Sequence, residues 1–191
     1  MTVSYQVVIT DLIDDDLEPE REVLGELAHV TALHARSEAE LVGRIEQADA
    51  IILYHELALT EATIRRLERC RVIVRGGVGF DNVDRPLCRQ LGIPVANVPD
   101  YGTEEVADSA LAMLLALARG IHLANSVLRA GQGDWSYERA VPLMRLRGSV
   151  LGIVGLGRIG TAMAMRGKSL GMDVAFFDPY KPDGYDKSLG I

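Results

Sequence analysis

Cysteine is scarce in this chain of 191 residues: Cys70 and Cys88 are the whole complement, without a CxxC pair or a Cys/His ligand spacing. A disulfide framework or thiolate metal site is not expected, and two reduced thiols in a cytoplasmic protein are. Basic residues are outnumbered, 20 Lys and Arg against 27 Asp and Glu, which leaves a net charge of −7. Nucleic acid and anionic membranes both need a basic face, so neither is an expected partner. No long apolar run is present either. The richest, VADSALAMLLALA, is interrupted by Asp108 and Ser109 and falls short of the ~18–20 residues of a membrane span. The opening MTVSYQVVITDLIDDD lacks a basic leader before its apolar run and soon turns acidic, unlike an ordinary signal peptide. Repeats and low-complexity tracts are missing too.

What remains has the apolar content of a soluble globular protein with a sizeable core. The first hundred residues alternate β-branched runs with helical patterns. Strands are expected at 5–10, 29–34, 50–54, 71–76 and 94–98, and helices near 19–27, 38–48, 61–69 and 84–91. Ser37 and Glu40 form a capping-box pattern, and Thr60 is a second N-cap candidate. Such alternation predicts parallel strands with helices on both faces, a complete small α/β domain over 1–102.

A long helix is expected over 103–131, capped by Thr103, favoured by Glu104 and Glu105 in its first turn and ended by Gly131. Val106, Ala110, Met113, Leu114, Leu117 and Ile121 form one stripe, which Ala107, Leu111 and Ala118 widen. A helix apolar around most of its girth is expected to lie buried, bridging to a second domain and packing at an oligomer interface. The polar connection up to 148 holds the only tryptophan, Trp135. A strand at 149–154, a helix at 158–170 and a strand at 173–177 then begin a third segment, 149–191.

The turn VLGIVGLGRIG carries the chemistry. Gly155, Gly157 and Gly160 follow an apolar strand and open a helix, and Asp178 lies 18 residues after the last of them, at the end of the next strand. That context, more than the glycines, marks a dinucleotide site. Gly155 permits the tight turn, Gly157 lets a pyrophosphate approach the backbone, and Gly160 lets helix and strand pack closely. Leu156 lies within the turn, the amides of Arg158 and Ile159 point at the phosphates, and Asp178 accepts hydrogen bonds from the adenine ribose. A carboxylate there repels the extra phosphate of NADP, so NAD is the expected cofactor; the nearby Lys181 weakens that preference without reversing it.

With these residues in hand, the chain resembles the D-isomer-specific 2-hydroxyacid dehydrogenase family, especially its C-terminal-binding protein branch. The resemblance rests on ILYHELALT (52–60), VIVRGGVGFDNVD (72–84), GIPVANVP (92–99), EEVADSALAMLLALAR (104–119), LRGSVLGIVGLGRIG (146–160) and FFDPYKPDG (176–184). It implies a flavodoxin-like, doubly wound N-terminal domain that binds substrate, followed by a Rossmann NAD-binding domain of which this chain holds an incomplete βαβ half. It implies further that the backbone around Gly77, Val78 and Gly79 faces the carboxylate of a small 2-hydroxy or 2-oxo acid, with contacts from Arg75 and Tyr54. Val106 matches a position that often carries Thr against the nicotinamide end, and as Val it offers only backbone or apolar contact.

The family's chemistry is hydride transfer, with a His tuned by a Glu as acid/base and an Arg on the carbonyl. All three belong to segments beyond FFDPYKPDG, so no catalytic residue is assigned here. His29 and His34 flank a strand, His55 reads as a loop residue and His122 rides the long helix. The expectation is an NAD-binding chain that is inactive alone and forms a homodimer through 103–131, its strand at 149–154 carrying an unpaired edge. The alternative is a non-catalytic, NAD-responsive, corepressor-like binding module.

Overall fold

A computed structural model describes residues 4–191. It divides into two compact units, one running to Tyr101 and the other Gly102–Ile191. The first holds strands β1 (Tyr5–Ile9), β2 (Ala28–Ala32), β3 (Ala50–Leu53), β4 (Val72–Arg75) and β5 (Val95–Asn97), with helices α1 (Glu18–Leu24), α2 (Glu61–Ile64) and α3 (Arg85–Gln90). All pairings are parallel, in the order β2-β1-β3-β4-β5. This is the flavodoxin-like order, whose switch point lies between β1 and β3.

Successive strand residues point to opposite faces, so β1 sends Val8 into one core and Val7 and Ile9 into another. Val8, Ile51, Leu53 and Ile73 pack with Leu41, Ile45, Ile64 and Leu87 on one face; Val30 and Leu17 cover the other. Covering both faces explains the near-continuous apolar runs of these strands.

The helix expected at 38–48 is instead a short 3₁₀ turn, Glu38–Leu41, followed by further turns. The Glu46 carboxylate draws off the amides of Gly43 (2.8 Å) and Ile45 (3.2 Å), and Gly43 sits at φ +78°. Leu41, Ile45 and Ala48 are nevertheless buried, so the apolar period fills the core without a continuous helix. The 61–69 helix shortens to four residues. The anticipated caps also change. Thr60 makes no cap bond and donates its hydroxyl to Glu38, Ser37 donates to Glu40, and Gly102 rather than Thr103 occupies the N-cap of the long helix.

In the second unit the stretch expected as one helix is two, α4 (Thr103–Ala118) and α5 (Ile121–Arg129), bent by 72°. Gly120, at φ +62°, makes the elbow. A Cβ there would lie 2.6 Å from the Cβ of Ala140 and 2.7 Å from its carbonyl oxygen. The connection after α5 packs into this unit: Met144 N–H donates to the carbonyl of Ala118 at the end of α4 (2.9 Å). No single described helix is long and apolar enough to cross a membrane. Ala107 is the only residue of α4 that is fully buried, whereas Met113 and Leu117 are 61% and 66% exposed. The expected burial of the stripe is thus not met within this chain. Strand β6 (Val150–Val154), helix α6 (Arg158–Ser169), strand β7 (Asp173–Phe177) and helix α7 (Tyr185–Leu189) follow, β6 and β7 pairing in parallel.

Candidate functional site

The glycine turn joins β6 to α6. Gly155 sits at φ +90°, and its N–H donates to the carbonyl of Phe177 (2.8 Å), tying the turn to β7. A side chain on Gly160 would collide with the carbonyl oxygen of Gly155 and come within 3.3 Å of Ile153, so close packing of α6 on β6 requires glycine here. Gly157 differs: a Cβ there meets nothing within 4 Å. It occupies the N-cap of α6, where an anion is favoured by the helix dipole and by first-turn amides without intrahelical acceptors. Arg158 opens the helix and Ile159 is partly exposed beside it.

Asp178 closes this corner. Its Oδ2 accepts the N–H of Leu156 (2.8 Å) and its Oδ1 that of Tyr180 (2.9 Å). These two bonds, Tyr180 foremost, hold its carboxyl below the usual carboxylate range, and Lys181 adds to the effect. Each oxygen keeps lone-pair capacity for a further donor. Leu156 itself has a fully buried side chain, and its amide is engaged by Asp178. Its part in the site is to hold Asp178 against the turn. The cradle fits a dinucleotide: an open glycine at a helix N-terminus, a packed glycine behind it and an ionised carboxylate one strand away. Farther along α6, the Arg166 guanidinium bonds Glu104 (2.6 Å) and Asp108 (2.8 Å), fastening α6 to α4; these two hydrogen bonds, Glu104 first, raise its pKa. Val106 lies on the same first turns of α4, half-exposed.

In the first unit, Arg75 ends β4 and Gly76–Gly79 form the loop beyond it. Gly76 N–H donates to Leu53 (2.8 Å), which prolongs the ladder. Gly77 N–H donates to the carbonyl of Arg75 (2.8 Å) and Gly77 is buried, so its amide is engaged within the loop. The amides of Val78 and Gly79, both exposed, donate no hydrogen bond to another of the described residues. Gly77 serves otherwise: a Cβ there would collide with Nη1 of Arg75, so its bareness lets the guanidinium lie across it. Arg75 Nε is buried without a partner.

Tyr54 stands at the end of β3, its ring 2.7 Å from where a Cβ on Gly76 would be. Burial, with Glu20, Asp15 and Asp11 around it, raises its phenol pKa. Sequence reasoning missed two residues here, Asp11 and Asn82. The buried Asp11 carboxylate accepts the N–H groups of Tyr54 (2.9 Å) and Glu56 (2.8 Å). Asn82 Nδ2 donates to the carbonyls of Tyr54 (2.8 Å) and Leu57 (2.7 Å). Asp11 opens an acidic run in which nothing sets it apart; its place two residues past the end of β1 was the available signal. Of the histidines, His29 lies on β2, His34 beside Asp14, His122 on the carbonyl of Ala116, and His55 is exposed next to Tyr54.

Residues 7–176 match the family model described as D-isomer specific 2-hydroxyacid dehydrogenase, catalytic domain. A D-3-phosphoglycerate dehydrogenase of Methanocaldococcus jannaschii is 34% identical over 97% of this chain and 34% of its own length. C-terminal-binding protein 1 of Caenorhabditis elegans is 36% identical over 92% of this chain and 25% of its own. Among solved structures, a D-lactate dehydrogenase of Aquifex aeolicus complexed with NAD and lactic acid superposes with a TM-score of 0.81 at 26% identity, covering 96% of this chain and 53% of the other. The chain spans about a third and a quarter of the length of these two curated relatives and about half of that solved one.

Proposed function

This chain belongs to the family of D-isomer-specific 2-hydroxyacid dehydrogenases, and from that premise we propose that it holds NAD on the 155–160 turn and a small 2-hydroxy or 2-oxo acid on the 75–79 loop. The family is one of NAD-dependent oxidoreductases acting on CH–OH donors. The single observation that carries the proposal is the bond from Leu156 N–H to Asp178. It aims an ionised carboxylate at the glycine turn, where the adenine ribose belongs.

NAD, when bound, supplies the hydride acceptor or donor. This chain's residues do the rest by binding. The α6 N-terminus and the bare Gly157 receive the pyrophosphate, and Asp178 clasps the ribose hydroxyls and repels a 2′-phosphate. Arg75 and the amides of Val78 and Gly79 grip the acid's carboxylate, and Tyr54 walls it. We assign no acid/base within the 191-residue polypeptide, a contribution worth roughly 10²–10⁴ in rate. Turnover by it is expected to be undetectable.

Titration with NADH, followed by nicotinamide fluorescence, tests the cofactor site. Saturable binding, much weaker NADPH binding, and a large loss of NADH affinity in Asp178→Ala are expected. An equal response of both proteins would remove Asp178 from the site. The exposed stripe of α4 supports a further proposal, a homodimer formed through it. A second reading, a non-catalytic NAD-responsive corepressor-like module, draws on the likeness to the C. elegans protein. It expects the same NADH binding, without turnover in any longer form of the protein.

A further inference from the structure

The crevice between β1 and β3 contains polar machinery that binding alone leaves unexplained. Asp11 is buried at the end of β1 and receives three hydrogen bonds, from the Thr10 hydroxyl (2.6 Å) and from the amides of Tyr54 and Glu56. Asn82, beyond the glycine loop, grips the carbonyl of the same Tyr54 and that of Leu57. The peptide groups on both sides of Tyr54 are thus held, one by a carboxylate and the other by a carboxamide. Asn82 Oδ1 is buried with no partner, so its placement serves the two carbonyls at the expense of its own acceptor. The Tyr54 ring so oriented lies against Gly76, next to the residue over which Arg75 folds.

We propose that Asp11 and Asn82 are positioning residues that act through Tyr54, fixing its ring as the wall of the carboxylate pocket. The inference rests on the reading of the 75–79 loop as the acid site. An exposed loop with a free backbone would let the ring swing away from Gly76 and lose the orientation of the bound acid. Pinning both peptide groups removes that freedom before any ligand arrives, which is how preorganisation raises affinity. Asp11 follows β1, Tyr54 follows β3 and Asn82 lies in the turn before α3, so only the folded sheet brings the three together.

A double-mutant cycle separates this role from a general structural one. The ¹⁵N-labelled chain is titrated with pyruvate, following the amide signals of Val78 and Gly79. Asp11→Asn and Asn82→Ala are each expected to weaken pyruvate binding about tenfold when Tyr54 is present, and by less than about twofold in a Tyr54→Ala background. Equal losses in the two backgrounds, or no loss in a folded variant, overturn the proposal. Should Asp11→Asn fail to fold, Asn82→Ala carries the test, since Asn82 is only half-buried. Pyruvate that binds the unmodified chain without coupling sinks this inference alone. Pyruvate that leaves the Val78 and Gly79 signals unmoved sinks the substrate reading, and this inference with it.

Discussion

Gly157 and Gly160 stand three residues apart in one motif, yet a methyl group would meet different fates at the two positions. At Gly160 it strikes the Gly155 carbonyl, and at Gly157 it enters open space. Gly160→Ala is therefore expected to lower stability by ~1–3 kcal/mol through overpacking and to weaken NADH binding as well. Gly157→Ala keeps an allowed backbone and costs no more than ~1 kcal/mol at the N-cap, but its methyl takes the space of the pyrophosphate. Urea unfolding beside NADH titration checks the split: stability and binding lost together at 160, binding alone at 157. Asp178 adds a pH expectation. Its folded-state pKa is depressed, so what its ionised form contributes is complete above the ordinary carboxylate value and disappears only as pH falls through the lower, folded one. NADH affinity should be insensitive to this group between pH 8 and about 5 and fall only below about 4; a decline centred near pH 6 would assign the titration elsewhere. The reasons for these glycines and for Asp178 were legible in the sequence, because spacing along one βαβ unit places them. Asp11 and Asn82 were not, because their partners lie 43 and 28 residues away and only the folded sheet brings them together.

Among the elements, the strands were readable to within two residues, since β-branched apolar runs of this length have few other uses. The helices were less so. The apolar period over 41–48 is real as burial, but Glu46 competes for the amides a helix would need. The long 103–131 pattern continues through Gly120 without a break in its apolar stripe, and the bend arises from a backbone conformation that periodicity does not encode. Gly120→Ala tests the elbow. A left-handed φ costs a non-glycine residue about 1–2 kcal/mol, and the clash with the Ala140 backbone adds to that. The variant should unfold at lower urea, and the 140–144 segment, which donates to the end of α4, should exchange its amides faster. Unchanged stability would mean that the helices straighten without loss.

At the scale of the whole molecule, a chain with net charge −7 repels its own copies, so any association must come from apolar surface. Two of the exposed apolar surfaces of the second unit bear on this. One is the α4 stripe through Val106, Met113 and Leu117; the other is the outer face of β6 and β7, with Val150, Val154 and Phe177 all at least 66% exposed. The proposed dimer uses the first. Leu117→Glu changes a residue that is two-thirds exposed in the single chain, so it should shift monomer stability by no more than about 0.5 kcal/mol. In a symmetric interface the same change appears twice and buries two unpaired carboxylates, which is prohibitive. Sedimentation equilibrium should therefore give a dimer for the unmodified chain and a monomer for Leu117→Glu, with matching far-UV spectra. Val154→Thr, on the sheet face, should leave the dimer intact. The opposite pattern, mass unchanged by Leu117→Glu and reduced by Val154→Thr, would place the association on the β6–β7 face and detach the α4 stripe from dimerisation.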